Sequence, residues 1–279
     1  MIVDAHHHIW RLGQGYRWLD EASLAPIRRT FEPAELRAEL AANGVAHTVL
    51  VEGGRCDAGE ARLLFSYLSE IPEIAGVVAW ADPSSPKLGD TLDAYRELPG
   101  GERLVGIREQ VQGIGDPAYF DRVEVRRGLA VAGAKGLAFD LVIRADQLPG
   151  AARVAKEMPD VRFVLDHLGK PGIRDGRFDE WATGLAALAA CPNVTAKVSG
   201  LVTEAAWGTW SADDLRPYVL GALRVFGAER LMFGSDWPVC RLASTYAQWL
   251  STLTLILPDD ARAAVLGETA VRAYHLSLA

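Results

Sequence analysis

Short apolar segments and segments with helical periodicity alternate along the 279-residue chain. Eight apolar segments end in a polar residue, a charged residue or glycine, which is typical of strands buried in a parallel sheet. Their ranges are 2–8, 47–53, 74–82, 104–110, 136–143, 161–167, 193–200 and 230–236. Eight strand–helix units in a chain of about 250 residues are the pattern of a (β/α)8 barrel. We therefore predict an α/β fold, a single TIM barrel domain over 1–279. A doubly wound sheet, the alternative, would need fewer strands or a second domain.

Composition and charge argue against several classes of partner. The net charge of −7 speaks against nucleic acids and anionic membranes. No segment has the length and purity of a membrane span, and the first residues lack the pattern of a signal peptide. Cys56, Cys191 and Cys240 are an odd number without CxxC spacing, which favours free thiols in a reducing compartment. We expect a cytoplasmic protein, and the sequence leaves open whether it forms a homo-oligomer.

Three consecutive histidines stand in the first predicted strand. Alternation along a strand turns His6 and His8 to one face together with Asp4, while His7 points away toward the helices. In TIM barrels, active sites lie at the carboxyl ends of the strands, where this segment ends. We therefore interpret His6 and His8 as a pair of candidate ligands and His7 as a structural residue.

Other predicted strands also end in residues that can carry chemistry. Arg108 and Glu109 end the fourth strand, Asp166 and His167 end the sixth, and Asp236 ends the eighth. The first and eighth strands of a closed barrel are neighbours, so we expect Asp236 to lie beside the histidine pair. For Arg108 and Glu109, an ion pair with each other or with neighbouring groups is the alternative.

The order of the sequence motifs resembles a known family. The chain contains, in sequence, "DAHHHIW", "YRWL", "LDHLGKP", "AKVSGL" and "FGSDWPV". Together they resemble the amidohydrolase superfamily, and within it the branch of fuconolactonase-like and rhamnonolactonase-like enzymes. The resemblance spans nearly the whole chain. It implies a (β/α)8 barrel that hydrolyses a sugar lactone, and it matches His6, His8, His167 and Asp236 to catalytic positions.

The chain departs from the metal-binding pattern of the binuclear members. These carry a modified lysine on strand four and two further histidine ligands, and the corresponding segments here have neither. The resemblance therefore implies one divalent ion, zinc or manganese, rather than two. Its candidate ligands are His6, His8, Asp236 and either Glu109 or His167. An ion-free site is the alternative, because the resemblance also covers relatives that work without a metal.

Lactone hydrolysis needs a base for the attacking water, stabilisation of the oxyanion and groups that hold the ring. We predict that Asp236 is the base and that His167, or an ion at the histidine pair, stabilises the oxyanion. We predict four substrate-binding residues: Trp10, Arg108, Trp237 and Lys197. The tryptophans would lie against the C–H face of a sugar ring, or else pack loops onto the barrel rim. Lys197 would reach a substrate oxygen, or else form a buried salt bridge.

Two other functions remain open from the sequence. A decarboxylase or hydratase of an unsaturated carboxylic acid would need several cations for carboxylates. Candidates that follow strand ends are Arg55, Arg108, Lys170, Arg174 and Arg241. A barrel that only binds a ligand would have no need of such an acid–base set of imidazoles and a carboxylate. We therefore predict a hydrolase whose partner is a small-molecule lactone from carbohydrate breakdown.

Overall fold

Eight parallel strands form one sheet in the order β1 to β8, in a computed structural model that describes residues 1–278. Each strand lies within or largely within one predicted apolar segment. The strands are β1 Ile2–His7, β2 Val45–Val51, β3 Ile74–Trp80, β4 Leu104–Glu109, β5 Ala138–Leu141, β6 Phe163–Leu165, β7 Val194–Val198 and β8 Leu231–Phe233. Most of their side chains are apolar, because both faces of the sheet are covered.

The first and last strands close the sheet into a barrel. The Asp236 amide donates to the His6 carbonyl oxygen at 2.8 Å, and the His8 amide donates to the Trp237 carbonyl oxygen at 2.7 Å. His7 and Trp237 form a parallel bridge at the same place. The predicted (β/α)8 barrel of the α/β class is therefore confirmed.

Helices surround the barrel and connect its strands. In residues 1–278 the α-helices are α1 Pro33–Ala42, α2 Gly59–Ser66, α3 Leu88–Arg96, α4 Val123–Ala134, α5 Leu148–Glu157, α6 Phe178–Ala189, α7 Leu201–Glu204, α8 Ala212–Phe226, α9 Tyr246–Ile256, α10 Asp259–Ala263 and α11 Thr269–Tyr274. None of these helices is long and apolar enough to cross a membrane. The long loop after β1 contains two short 3-10 helices, Arg17–Asp20 and Ala22–Ile27.

The barrel interior is apolar toward the amino ends of the strands and charged toward their carboxyl ends. One buried cluster joins side chains from seven of the strands: Val3, Ala5, Val49, Val51, Val78, Val105, Ala138, Val164 and Met232. Tyr274 and Leu276, at and just after the end of α11, pack against the same cluster. Asp140 and Lys197 lie above it and form an ion pair at 2.6 Å. The charged layer therefore separates the apolar core from the carboxyl ends of the strands, where the candidate site lies.

Candidate active site

A β-bulge in β1 orients the histidines. Asp4 pairs with Thr48 of β2 and His7 pairs with Leu50, so three residue steps in β1 oppose two in β2. The extra residue interrupts the alternation of faces, so Ala5 and His6 both turn into the barrel. His7 points outward, where its Nε2 lies 2.9 Å from the Thr48 hydroxyl. The bulge thus delivers two inward histidines at the end of the strand.

The prediction that Asp4 shares a face with His6 and His8 is wrong, because the bulge lies between Asp4 and His6. The Asp4 carboxylate accepts hydrogen bonds from the Ser235 amide at 2.8 Å and from the Tyr246 hydroxyl at 2.9 Å. It also accepts one from the His6 amide at 3.1 Å. Asp4 therefore ties β1 to the segment after β8 and to α9 from outside the barrel.

His6, His8 and Asp236 meet at the carboxyl end of the barrel. The two Nε2 atoms of His6 and His8 lie 3.1 Å apart. Oδ1 of Asp236 lies 3.5 Å from Nε2 of His8 and 3.8 Å from Nε2 of His6. All three side chains are buried. The structure thus brings together residues from the first and eighth strands that the sequence separates by more than two hundred positions.

His167 completes the group from the segment after β6. Its ring centroid lies 4.5 Å from that of His6, and its Nδ1 lies 2.9 Å from the Ser199 hydroxyl. A Cβ atom on Gly200 would lie 2.7 Å from this Nδ1, so only glycine leaves room for the imidazole. His167 itself has a φ of 54°, a left-handed conformation that is sparsely populated outside glycine.

The pKa values of the His6 and His167 imidazoles are lowered, which favours their neutral forms. Burial lowers the pKa of His167 to about 4. Burial, followed by the positive charge of Lys197, lowers the pKa of His6 well below its ordinary value. Neutral imidazoles can bind a metal ion or form hydrogen bonds with a substrate.

Asp236 is the ionised member of the group. Burial alone would raise the pKa of its carboxyl, but neighbouring groups, with His167 first and Lys170 among them, bring the pKa below the ordinary value. Its φ is 56°, so its side chain leaves the chain from a tight turn directly after β8. The site therefore holds a buried carboxylate that can accept a proton or bind a cation at neutral pH.

The donor set fits a divalent ion. One potential ligand atom from each of His6, His167 and Asp236 lies within 4.8 Å of the others. Neutral imidazole nitrogens and carboxylate oxygens are ligands that suit zinc and manganese. Nδ1 of His8 donates to the Val51 carbonyl oxygen at 3.0 Å, which leaves the lone pair on its Nε2.

Glu109, by contrast, lies outside this group. Its carboxylate accepts hydrogen bonds from the Trp80 indole at 3.1 Å and from the Gln110 amide at 2.7 Å. Glu109 immediately follows Arg108, whose side chain reaches His6 at 3.4 Å. The predicted role of Glu109 as a metal ligand is therefore wrong. Side chains alternate along a strand, so Glu109 points away from the histidines that Arg108 faces.

The predicted substrate-binding role of Trp10 and Trp237 is also wrong, since both side chains have 0 % exposure. The Trp10 indole donates to the Arg29 carbonyl oxygen at 2.9 Å. Phe31 packs edge-on between the two tryptophans, with ring centroids 5.4 Å from Trp10 and 5.3 Å from Trp237. The two tryptophans anchor the long first loop onto the barrel. This is the alternative, loop packing, that the sequence left open for them.

Arg108 and Lys197 both form ion pairs within a buried layer of charged side chains. Arg108 donates to Glu52 at 2.6 Å and to Asp166 at 2.9 Å. Lys197 is fully buried, pairs with Asp140, and lies 2.9 Å from Asp166 and 3.1 Å from Nδ1 of His6. The salt-bridge alternative is therefore correct for Lys197, whereas substrate binding by Arg108 stays a prediction. Arg108 pairs across the barrel rather than with Glu109.

A cavity of about 630 Å³ lies at the carboxyl end of the barrel, and its lining includes none of His6, His8, His167 and Asp236. Loops after β4, β5, β6 and β7 form its walls. Lys170 and Glu204 line it, and their charges act on Asp236. Sequence reasoning named Lys170 only as a cation for carboxylates and did not single out Glu204. The position of each after a strand end was the available signal.

A (β/α)8 barrel that gathers imidazoles and a carboxylate from β1, β6 and β8 has the arrangement of a hydrolytic enzyme. The amidohydrolase family model matches residues 3–276, and the chain belongs to this family of enzymes. The family predicted from the motifs is therefore confirmed.

The chain is similar to curated and solved proteins over nearly its whole length. It is 35% identical to an L-fucono-1,5-lactonase from Burkholderia ambifaria, over 98% of this chain and 95% of that protein. It is 34% identical to an L-fucono-1,5-lactonase from Burkholderia multivorans, over 98% and 96%. A crystal structure of an amidohydrolase from Burkholderia multivorans with bound zinc has a TM-score of 0.91 and 33% identity, over 99% of this chain and 100% of that one.

Proposed function

We propose that the protein hydrolyses the lactone of a sugar acid. The observation that carries the proposal is the buried, ionised carboxylate of Asp236, 3.5 Å from His8. Lys170, whose charge acts on Asp236, lines a cavity large enough for a small molecule. The similarity to two L-fucono-1,5-lactonases supports a sugar lactone as the substrate.

The residues of the chain supply the proton transfers of this reaction. Asp236 accepts a proton from the attacking water as oxygen adds to the lactone carbonyl. We assign the Ser199 hydroxyl as the donor to Nδ1 of His167, so that Nε2 carries the imidazole hydrogen. This N–H can donate to the oxyanion of the tetrahedral intermediate. When the ring C–O bond breaks, the proton held by Asp236 passes to the departing ring oxygen, and the product is an open-chain acid.

We further propose one divalent ion, zinc or manganese, held by His6, His8 and Asp236. When bound, such an ion polarises the lactone carbonyl and stabilises negative charge on its oxygen. The hydrogen bond from His8 to Val51 supports this assignment, since it fixes the nitrogen that faces the site. The zinc-containing relative at 33% identity supports it as well.

The proposed partner is a small molecule from a cytoplasmic pathway of carbohydrate breakdown. The net charge of −7 supports a partner other than nucleic acid or an anionic membrane. Cys191 and Cys240 are buried free thiols, which supports a reducing compartment.

Four of the five cations predicted for the decarboxylase alternative are engaged by the protein itself. Arg55, Arg108 and Arg241 pair with carboxylates of the protein itself, Asp57, Glu52 and Glu39 respectively. The Arg174 guanidinium donates to the Ala205 carbonyl oxygen at 3.3 Å. Of that set, Lys170 remains for a dianionic substrate near Asp236, which is fewer cations than two carboxylates need.

A panel of lactones with a pH indicator tests the proposal. Hydrolysis opens the lactone to an acid that ionises, so each turnover releases one proton. We expect acid release by the wild type on 1,5-lactones of six-carbon aldonic acids, and a much slower release by Asp236→Asn. A panel of unsaturated carboxylic acids, followed by loss of ultraviolet absorbance, is the comparison. Turnover of those acids with every lactone left at its spontaneous rate would overturn the proposal.

A further inference from the structure

We propose that Lys197 and Asp166 determine which ring nitrogen of His6 carries the hydrogen, and that this choice controls how tightly the site holds a divalent ion. Both are positioning residues, because they act through His6 and not on the substrate. The inference rests on the proposed ion at His6 and His8, and it deepens that proposal by naming the residues that regulate ion binding.

The imidazole of His6 lies between a donor and an acceptor. Its Nδ1 is 3.1 Å from Nζ of Lys197 and 3.3 Å from Oδ1 of Asp166. An ammonium can only donate a hydrogen bond, and a carboxylate can only accept one. If Nδ1 has a lone pair, it can accept from Lys197, and if it carries the hydrogen, it can donate to Asp166. The two neighbours therefore favour opposite tautomers of the neutral imidazole.

His8 selects the tautomer of His6 when no ion is bound. In its neutral form His8 donates from Nδ1 to the Val51 carbonyl oxygen at 3.0 Å, so its Nε2 is an acceptor. Nε2 of His6 lies 3.1 Å from this acceptor and must carry the hydrogen that bonds to it. Nδ1 of His6 then has a lone pair for Lys197. The three hydrogen bonds therefore run in one direction, from the ammonium of Lys197 to the main chain of Val51.

Asp166 has a buried oxygen that can accept from the other tautomer. Nη1 of Arg108 donates to its Oδ2 at 2.9 Å, whereas the contact of Nη1 with Nε2 of His6 is longer, at 3.4 Å. Oδ1 of Asp166 accepts no hydrogen bond from the residues in 1–278, although the Lys197 ammonium pairs with it at 2.9 Å. Buried polar atoms normally have a hydrogen-bond partner. Oδ1 is therefore placed to accept from Nδ1 of His6.

Holding an ion requires the second tautomer of His6. The Nε2 atoms of His6 and His8 must both offer a lone pair, so the hydrogen of His6 has to lie on Nδ1. The N–H bond at Nε2 breaks and one forms at Nδ1 by exchange with water, and the ring neither gains nor loses a proton. Nδ1 then donates to Asp166 and no longer accepts from Lys197. Asp166 therefore favours the ion-holding form, and Lys197 favours the ion-free form.

The position of the hydrogen on His6 can be measured by NMR. Histidine labelled with ¹⁵N shows which ring nitrogen is protonated, and the spectrum of His6→Asn assigns the signals of His6. In the ion-free wild type we expect the hydrogen on Nε2, and added zinc should move it to Nδ1. This measurement on the wild type decides even if a variant of a buried charge fails to fold. A hydrogen on Nδ1 in the ion-free wild type would overturn the inference.

The affinity for zinc, measured by competition with a zinc-binding dye, tests the opposing roles of the two residues. Lys197→Met removes the donor, so its ion-free form should carry the His6 hydrogen on Nδ1 and bind zinc at least about tenfold more tightly than the wild type. Asp166→Asn removes the carboxylate that accepts from Nδ1. It should weaken zinc binding about ten- to hundredfold, as is typical when a metal-binding histidine loses its hydrogen-bond partner.

Tyr274→Phe is the matched control for a general disturbance of the buried charges. The Tyr274 hydroxyl donates at 2.7 Å to Oδ2 of Asp140, the same oxygen that Lys197 contacts at 2.6 Å. The variant removes one buried hydrogen bond but alters neither of the two groups beside His6. It should keep the tautomer and the zinc affinity of the wild type.

Equal zinc affinity in the wild type, Lys197→Met and Asp166→Asn would overturn the inference, as would a change in Tyr274→Phe as large as that in Lys197→Met. A wild type that binds no zinc would overturn it together with the proposed ion. Each of these results with intact lactone turnover leaves the proposed hydrolysis standing. The expected tautomers and affinities in a protein that hydrolyses no lactone would support the inference and contradict the proposed function.

Discussion

Nδ1 of His8 lies 3.0 Å from the main-chain carbonyl oxygen of Val51, at the end of the neighbouring strand. A carbonyl oxygen can only accept, so Nδ1 carries a hydrogen, and in the neutral tautomer Nε2 keeps its lone pair. That Nε2 faces His6 and Asp236 at 3.1 and 3.5 Å. A single hydrogen bond from β2 therefore determines which nitrogen of His8 the site can use.

This arrangement predicts the behaviour of a bound ion. We expect elemental analysis to find about one zinc or manganese ion per chain in the wild type, and His6→Asn and His8→Asn to lose it. Glu109→Gln, the matched control, should retain the ion because Glu109 is held by Trp80 and Gln110 instead. A wild type that carries no ion and keeps its full rate after exhaustive chelation would refute the metal proposal.

Gly200 should be essential for placing His167. Alanine there would bring a Cβ atom to 2.7 Å from Nδ1 of His167, and the φ of +64° adds backbone strain. We expect Gly200→Ala to lower kcat about 10- to 100-fold, because a displacement of about 1 Å in a catalytic group can have an effect of that size. Steady-state kinetics with the best lactone of the panel measures it.

Gly208→Ala distinguishes the effect of a steric clash with His167 from the effect of backbone strain. Gly208 has a similar φ of +79°, but no atom lies within 4 Å of a Cβ placed there. Both variants should lose about 1 kcal/mol of stability or somewhat more, whereas only Gly200→Ala should lose activity. Equal kcat values in the two variants would show that His167 does not depend on this space.

Trp10 should contribute to stability rather than to substrate binding. It is fully buried in the first loop, so Trp10→Ala removes a large packed side chain. We expect the free energy of unfolding in urea to fall by about 3–5 kcal/mol. Leu12→Ala, in the same loop but at a position with 51% exposure, should leave it unchanged. A rise in KM with unchanged stability for Trp10→Ala would instead restore the sugar-stacking role.

Lys197 should behave as the central cation of the buried charge layer. Its removal leaves Asp140 and Asp166 without the cation that both contact. We expect Lys197→Met to lower the free energy of unfolding by about 3–5 kcal/mol, since an unpaired buried charge is costly. The exposed pair of Arg216 and Asp213 provides the comparison, and Arg216→Met should show no measurable change in the same denaturation experiment.

The barrel could be predicted because its strands are buried on both faces and therefore stand out as apolar segments. The same reasoning placed Asp236 beside His6 and His8, since strand order alone makes β1 and β8 neighbours. Alternation failed at Asp4 because a bulge leaves no sign in the residue types on either side of it.

Burial could not be predicted for the aromatic and charged residues of the site. Trp10 and Trp237 follow catalytic side chains in sequence, but the fold of the first loop buries them under Phe31. Lys197 pairs with Asp140 from another strand, and nothing local to either residue indicates the pair. The cavity walls depend in the same way on loops that meet only in three dimensions.

The kcat of Asp236→Asn tests the central claim most directly. Asparagine keeps the size of the side chain and tolerates the left-handed backbone at this position, but it cannot accept the proton from water. We predict a variant that unfolds at the same urea concentration as the wild type and loses at least about two orders of magnitude in kcat on the best lactone. A correctly folded Asp236→Asn variant with near-normal kcat would contradict the role of Asp236 as the general base.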